Sequence, residues 1–214
     1  TLTDCIKSAL NQSCISVLDI GCGNGRFLSW LTTKENTISR YVGIDTNETL
    51  LLEANQDMQD TNYSLELQKK DIVAMLVDEA SLGVGEKYDV VALFGIMHHI
   101  PSFELRKQLL TEAFTHLLPG GIMVVSFWQF ARFERFQNKL ITPEQASFRK
   151  SELEEHDYFL GWGDEGAVRY AHWVGENETS ELTRDIPHSK VVKTWYADGK
   201  NEKLNYYVVL QKQR

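Results

Sequence analysis

His98 and His99 stand side by side at the end of a strongly apolar run, and a second cluster, Arg169-Tyr170-Ala171-His172, follows much later in the chain. Histidine titrates near neutral pH, so it can take a proton from an acceptor or orient one. Arginine holds a carboxylate or a phosphate through its planar fork. A third constellation, VLDIGCGNGRF (17–27), sets Gly21, Gly23 and Gly25 directly after an apolar strand that carries Asp19. Such a loop lets backbone amides and the start of a helix come close to a ligand. Asp45 and Asp71 each close a later strand pattern. An acid at the position of Asp45 suits the paired hydroxyls of a ribose. Asp71 could accept from an adenine amino group or cap the helix that follows.

The glycine spacing narrows the ligand. Dinucleotide dehydrogenases carry G-x-G-x-x-G, whereas here the third dehydrogenase glycine is replaced by Arg26, too bulky for close helix–strand packing. No Lys-Ser/Thr pair follows the glycines, which removes the nucleoside-triphosphate loop.

The elements that must position these residues alternate. Helices are expected over 3–12, 26–34, 48–58, 71–81 and 102–117, and strands over 16–20, 40–45, 63–71, 87–97 and 122–128. Ser102 is the natural cap of the fifth helix, and Pro119-Gly120-Gly121 is expected to end it. Strand–helix alternation implies an α/β, Rossmann-like, doubly wound and mainly parallel sheet. The end of the chain departs from it: segments 190–197 and 203–212 flank Asp198-Gly199, the signature of an antiparallel β-hairpin. With the hairpin the sheet reaches seven strands. One domain over 1–214 is expected, with a recognition insertion at about 129–175. That insertion brings Trp162, Tyr170 and Trp173 beside Arg169 and His172.

Composition sets bounds. The 214 residues carry a formal charge of −8, which opposes a whole-surface attraction to nucleic acid. The charge is uneven: residues 129–150 hold five bases against two acids, and 151–185 hold ten acids against two bases. The three cysteines, Cys5, Cys14 and Cys22, fit no zinc spacing and read as reduced thiols of a cytoplasmic protein, with no metal site expected. No apolar run reaches the ~20 residues of a bilayer span, so no membrane partner is expected, and the start lacks the pattern of a secretory leader.

The segments VLDIGCGNG, VGID, KKDI, YDVVALFGIMHHI and LLPGGIMVVSFW together resemble the class I S-adenosylmethionine-dependent methyltransferases over nearly the whole chain. The resemblance implies S-adenosyl-L-methionine as cofactor. Asp19, Gly21, Gly23 and Gly25 would then hold its methionine end, with a Cβ at the glycines colliding with it. Asp45 would hold the ribose, Asp71 and Ile72 would border the adenine, and Phe94 would lie in the loop facing the sulfonium. HHIPSFELR (98–106) and Arg169-Tyr170-Ala171-His172 are similar to the methyltransferases that esterify the carboxymethyl group on tRNA wobble uridine, and to their bacterial relatives. That likeness implies His98, Arg169 and His172 as catalytic residues and His99, Arg106, Arg132 and Tyr170 as acceptor-binding residues. It implies tRNA as a partner, touched by the basic stretch 132–150. It also implies a small accessory activator subunit, as in the eukaryotic relatives. Two other readings stay open: a small-molecule O- or N-methyltransferase with His98 or His99 as base, and a cofactor-binding subunit that activates a partner enzyme.

Overall fold

The computed structural model describes residues 2–10, 14–33, 37–57, 62–162 and 166–214. In chain order it runs α1 (Leu2–Leu10), β1 (Cys14–Ile20), α2 (Arg26–Thr32), β2 (Thr37–Asp45), α3 (Glu48–Asp57), β3 (Ser64–Lys69), α4 (Ile72–Val77) and β4 (Tyr88–Leu93). It continues with α5 (Phe103–Thr115), β5 (Leu117–Trp128), α6 (Glu134–Gln137), β6 (Leu140–Ile141), β7 (Asp157–Trp162), β8 (Ala167–His172), α7 (Glu176–Arg184), β9 (Ser189–Ala197) and β10 (Asn205–Lys212). The expected helix ends at 12, 34 and 58 lie outside the described residues.

Among the described residues a seven-stranded sheet has the order β3-β2-β1-β4-β5-β10-β9. The pairs from β3 to β5 are parallel, and β10 is antiparallel to both β5 and β9. β1 and β4 sit in the middle, and every residue of β4 is buried. One face of the sheet packs on α4, α5 and α7 through residues such as Ile72, Leu109 and Leu182. The other packs on α1 and α2 through Ile6, Phe27, Leu28 and Leu31. Each such side chain contributes about 1.5–3 kcal/mol when fully buried. The starts of the two central strands are tied by polar bonds: Ser16 donates its backbone N–H (2.8 Å) and its hydroxyl (2.7 Å) to the carboxylate of Asp89. The hairpin turns at Asp198 (φ 66°) and Gly199 (φ 72°), both left-handed, as the Asp-Gly pair implies.

Two expectations are corrected. The helix expected over 71–81 stops at Val77, because Glu79 turns left-handed (φ 52°) and the Ala80 N–H closes back on the Met75 carbonyl at 2.8 Å. The Pro119-Gly120-Gly121 stretch does not end a helix. The helix ends at Thr115, and the three residues lie inside β5 as a bulge, with Leu117 opposite Tyr88 and Ile122 opposite Val90. Ser102 does cap α5, accepting the Leu105 N–H at 3.3 Å.

The segment from 129 to 175 builds a second, antiparallel sheet, β6-β7-β8, whose core is Phe130, Leu160 and Ala171. Asp157 pairs with His172, and Leu160 with Arg169.

At Gly121 an added Cβ would stand 2.9 Å from the Asp89 carbonyl and 3.0 Å from that of Leu118, both immobile backbone. Gly121→Ala is therefore expected to lose about 1–3 kcal/mol in urea unfolding. Gly85→Ala, where nothing lies within 4 Å of the added atom, is expected to stay within about 0.5 kcal/mol.

Candidate active site

A cleft of about 1370 Å³ opens at the carboxyl ends of β1, β4 and β5 and runs along the β9–β10 hairpin. Its floor is the turn leaving β1. Gly21 (φ 80°) and Gly23 (φ 54°) are left-handed, a conformation that disfavours a side chain. Space separates the two. A Cβ on Gly21 would press on Ile96 at 3.0 Å, and one on Gly25 would press on Ala54 at 3.2 Å. At Gly23 the nearest atom is 3.9 Å away, so this glycine faces open cleft. Gly21 and Gly23 both line the cleft, and at Gly21 and Gly25 the absent Cβ also makes room for the protein's own packing.

Asp19 lines the cleft yet is only 1% exposed. The Tyr41 hydroxyl donates to its Oδ2, while Oδ1 has no partner among the described residues. Burial pushes the carboxyl up to about 7; the Tyr41 bond works against that rise, and the nearby Asp45 carboxylate adds to it. A carboxylate oxygen without a donor in a dry site is an acceptor for a cation. Asp45 braces the loop: its Oδ2 accepts the Gly23 N–H at 2.8 Å and its Oδ1 the Asn47 N–H at 2.8 Å. Asp71 caps α4 through the Ala74 N–H at 3.0 Å, and Ile72, expected beside the ligand, is 5% exposed within the core.

The opposite wall carries the nitrogen chemistry. Phe94 packs edge-on against Phe27, with ring centroids 4.8 Å apart. Gly95 donates its N–H to Ser126 Oγ at 3.0 Å, which fixes the loop after β4. That loop enters a 3₁₀ turn, Met97–His99. The His98 ring lies 4.0 Å from His99 and 4.9 Å from Trp128, centroid to centroid. Its Nδ1 is buried without a partner among the described residues. Burial, then His99 and Arg169, hold His98 well below the usual histidine range. Burial and Arg169 also lower His99, against the bond it makes to the Tyr170 carbonyl and the pull of Asp45. Both imidazoles are therefore neutral at pH 7. Arg169 joins them on the cleft wall.

Four residues expected at the acceptor are elsewhere. Arg106 is 1% exposed on α5, with Nε on Glu178 at 2.8 Å and Nη2 on Glu154 at 2.7 Å. His172 is 2% exposed between Asp157 (2.6 Å) and Glu178 (2.9 Å). The Tyr170 hydroxyl donates to Asp157 at 2.6 Å. Tyr170 and His172 lie behind β8, because side chains alternate along a strand and Arg169 takes the cleft face, and Arg106 reaches the same side from α5. Arg132 donates to the Tyr196 hydroxyl at 3.0 Å and lies over the Trp173 and Tyr196 rings, each at 5.7 Å. The side chain of Trp162 lies outside the described residues. Conversely, Trp128, Trp195 and Tyr207 line the cleft without having been expected there. The only signal for the last two was their alternation within the hairpin pattern.

The family model described as "Methyltransferase domain" matches residues 11–175. A tRNA (carboxymethyluridine(34)-5-O)-methyltransferase of Arabidopsis thaliana is 23% identical over 113 residues, covering 52% of this chain but only 24% of the plant protein. A ubiquinone biosynthesis O-methyltransferase of Rickettsia bellii is 20% identical over 219 residues, covering 97% of this chain and 80% of that protein. The crystal structure of an S-adenosylmethionine-dependent methyltransferase from Clostridium acetobutylicum shares the fold, with a TM-score of 0.71 at 13% identity over 100% of this chain and 89% of that one.

The Asp19 carboxyl binds its proton more tightly folded than unfolded, about 7 against 3.8. Stability from this group is present below the unfolded value and is lost as pH rises through the folded one. Asp19→Asn is expected to remove that loss, of order 4 kcal/mol at most, between about pH 4 and pH 8. Urea unfolding of variant and wild type across that range checks it.

Proposed function

The chain belongs to the methyltransferase domain family, and we propose on that footing that it esterifies a carboxylate, that of the carboxymethyl group on a tRNA wobble uridine. The residues present fit S-adenosylmethionine. The unpartnered Asp19 Oδ1 is the acceptor its ammonium needs, and the open side of Gly23 leaves room for the amino-acid tail. Asp45 would take the sugar hydroxyls, and Asp71 the adenine edge. Bound there, the cofactor supplies a methyl carbon made electrophilic by a sulfonium. The protein's own task is to bring a nucleophile into line and keep water away.

A carboxylate nucleophile needs no base; it needs a cation to hold it and a dry wall around it. The observation that carries the reading is Arg169 on the cleft wall beside two histidines kept neutral. Arg169 is then the one cation of this trio facing the acceptor, and neutral His98 and His99 offer hydrogen bonds without adding charge. Phe94 and Trp128 supply apolar surface beside them. The similarity to the plant tRNA enzyme supports the choice of acceptor. A tRNA partner and an accessory subunit belong to the same proposal.

A second reading has its own observation. The Nδ1 of neutral His98 is buried and has no partner among the described residues, so it would take a proton from a hydroxyl brought to it, as a small-molecule O-methyltransferase requires. The Rickettsia relative supports it.

Transfer of tritium from labelled cofactor to bulk tRNA, as an ester released by mild alkali, is the expected outcome. Label confined to a metabolite extract replaces the first reading by the second. Arg169→Ala is expected to keep S-adenosylhomocysteine affinity within about twofold while turnover falls about 10- to 100-fold, the loss of one charged hydrogen bond. Because Asp19 must ionise to hold an ammonium, affinity for S-adenosylhomocysteine is expected to rise with pH up to about 7 and then level off. Calorimetric titrations at several pH values check this, with Asp19→Asn expected to flatten the profile.

A further inference from the structure

Behind β8 lies a closed set of charges that the proposed chemistry does not use. Arg106 on α5 reaches Glu178 on α7 and Glu154 in the turn before β7, and its Nη1 donates to the Ile100 carbonyl at 3.1 Å. His172 on β8 reaches Asp157 on β7 through Nδ1 and Glu178 through Nε2. Tyr170 donates to the same Asp157 oxygen that His172 meets, and Glu154 also accepts the Phe103 N–H at 2.7 Å. The network thus joins the insertion sheet to α5 and α7 of the main body.

Both ring nitrogens of His172 meet carboxylate oxygens. Carboxylates only accept, so the ring satisfies both by carrying two protons. The charged form sets two cations, Arg106 and His172, among three anions; the neutral form would leave one. Residues 169 and 172 are three apart on one strand, so their side chains leave opposite faces. The face that Arg169 presents to the cleft is set by whatever holds the other face. From the front, the 3₁₀ turn that carries His99 packs against β8.

We propose that His172 is a positioning residue for Arg169: bridging Asp157 and Glu178 behind β8, it fixes the strand whose front face holds the guanidinium at the cleft. The inference rests on the acceptor role given to Arg169 above. The groups that face His172 are Asp157 on β7, Glu154 before it, Tyr170 on its own strand, Arg106 on α5 and Glu178 on α7. Asp157 and Glu178 hold it above the usual histidine range; burial and Arg106 act the other way. The bridge is therefore complete at low pH and lost as pH rises through that raised value.

The test needs no acceptor. Modification of arginines by phenylglyoxal, read by mass spectrometry, gives the rate at Arg169 relative to Arg149, whose side chain is 81% exposed and serves as internal standard. His172→Gln is expected to raise that ratio about fivefold or more and to leave S-adenosylhomocysteine affinity within about twofold. The wild-type ratio is expected to climb toward the variant's as pH rises, while cofactor affinity does not fall. On the acceptor, the variant is expected to raise KM about tenfold with a smaller change in kcat. An unchanged ratio in a variant that still binds S-adenosylhomocysteine overturns the proposal. So does a variant that loses S-adenosylhomocysteine binding together with a pH-independent wild-type ratio, for the network is then a support of the whole fold. If the ratio shifts as expected while no tRNA is methylated, the positioning role stands and the proposed acceptor fails.

Discussion

Asp19 gives up water at the centre of the sheet, where β2 and β4 cover both edges of its strand. Burying a carboxylate costs several kcal/mol unless donors replace the lost water. The fold supplies one donor, Tyr41, from the neighbouring strand, and leaves the second oxygen buried without a partner among the described residues. The surrounding turn is then held by bonds between strand ends. The Ile44 carbonyl accepts the Gly21 and Cys22 N–H groups at 2.8 and 3.0 Å, and Asp45 accepts that of Gly23. The turn is thus held by the protein's own hydrogen bonds, and a group held in advance costs less to order on association. The carboxyl of Asp19 is thereby held in an unfavourable, half-satisfied state.

The insertion solves a different problem. A short antiparallel sheet outside the main one has little core of its own: Phe130, Leu160 and Ala171, with aromatic neighbours such as Trp128 and Tyr158. Such a unit would rock against the body if apolar contact alone held it. The charge network behind β8 gives directional bonds that apolar packing lacks. Buried ion pairs contribute little net stability, but removing one partner is costly. That asymmetry resists small displacements, and β8 carries its guanidinium on the face turned to the cleft.

The main fold was legible because its signals are local. Alternating strand and helix patterns, the capping Ser102 and the Asp198-Gly199 turn each declare themselves within a few residues. Pro119-Gly120-Gly121 misled because the same residues that end a helix also build a bulge, and only the pairing with β4 decides between them. In the site, Asp19, Gly23, Phe94, His98, His99 and Arg169 were legible and converge on one cleft. Arg169-Tyr170-Ala171-His172 read as one cluster, yet a strand sends neighbours to opposite sides, so the motif divides between cleft and network. Arg106 was misplaced because its partners, Glu154 and Glu178, lie on segments far away in sequence. Trp195 and Tyr207 were hidden because only the return of the hairpin along the cleft brings their stacked rings to the wall.

The formal charge of −8 argues less against an anionic acceptor than composition alone suggests. Much of the acidity in residues 151–185 is consumed internally: Glu154, Asp157 and Glu178 by Arg106 and His172, and Glu152 by Arg149 at 2.6 Å. Glu176 is taken up by the Tyr196 hydroxyl and lies 3.9 Å from Arg132. Charges farther away than a Debye length of about 8 Å act weakly through physiological salt. What an incoming group meets is the local wall, where Arg26, Arg169 and Lys193 stand. Against them the same cleft carries Asp19, Asp198 and Glu202, of which Asp198 accepts from Asn205 and Tyr207. The local field in the cleft is set by those few side chains, whose bases and acids stand on different parts of its wall, and the paired acids of 151–185 act mainly to hold the scaffold.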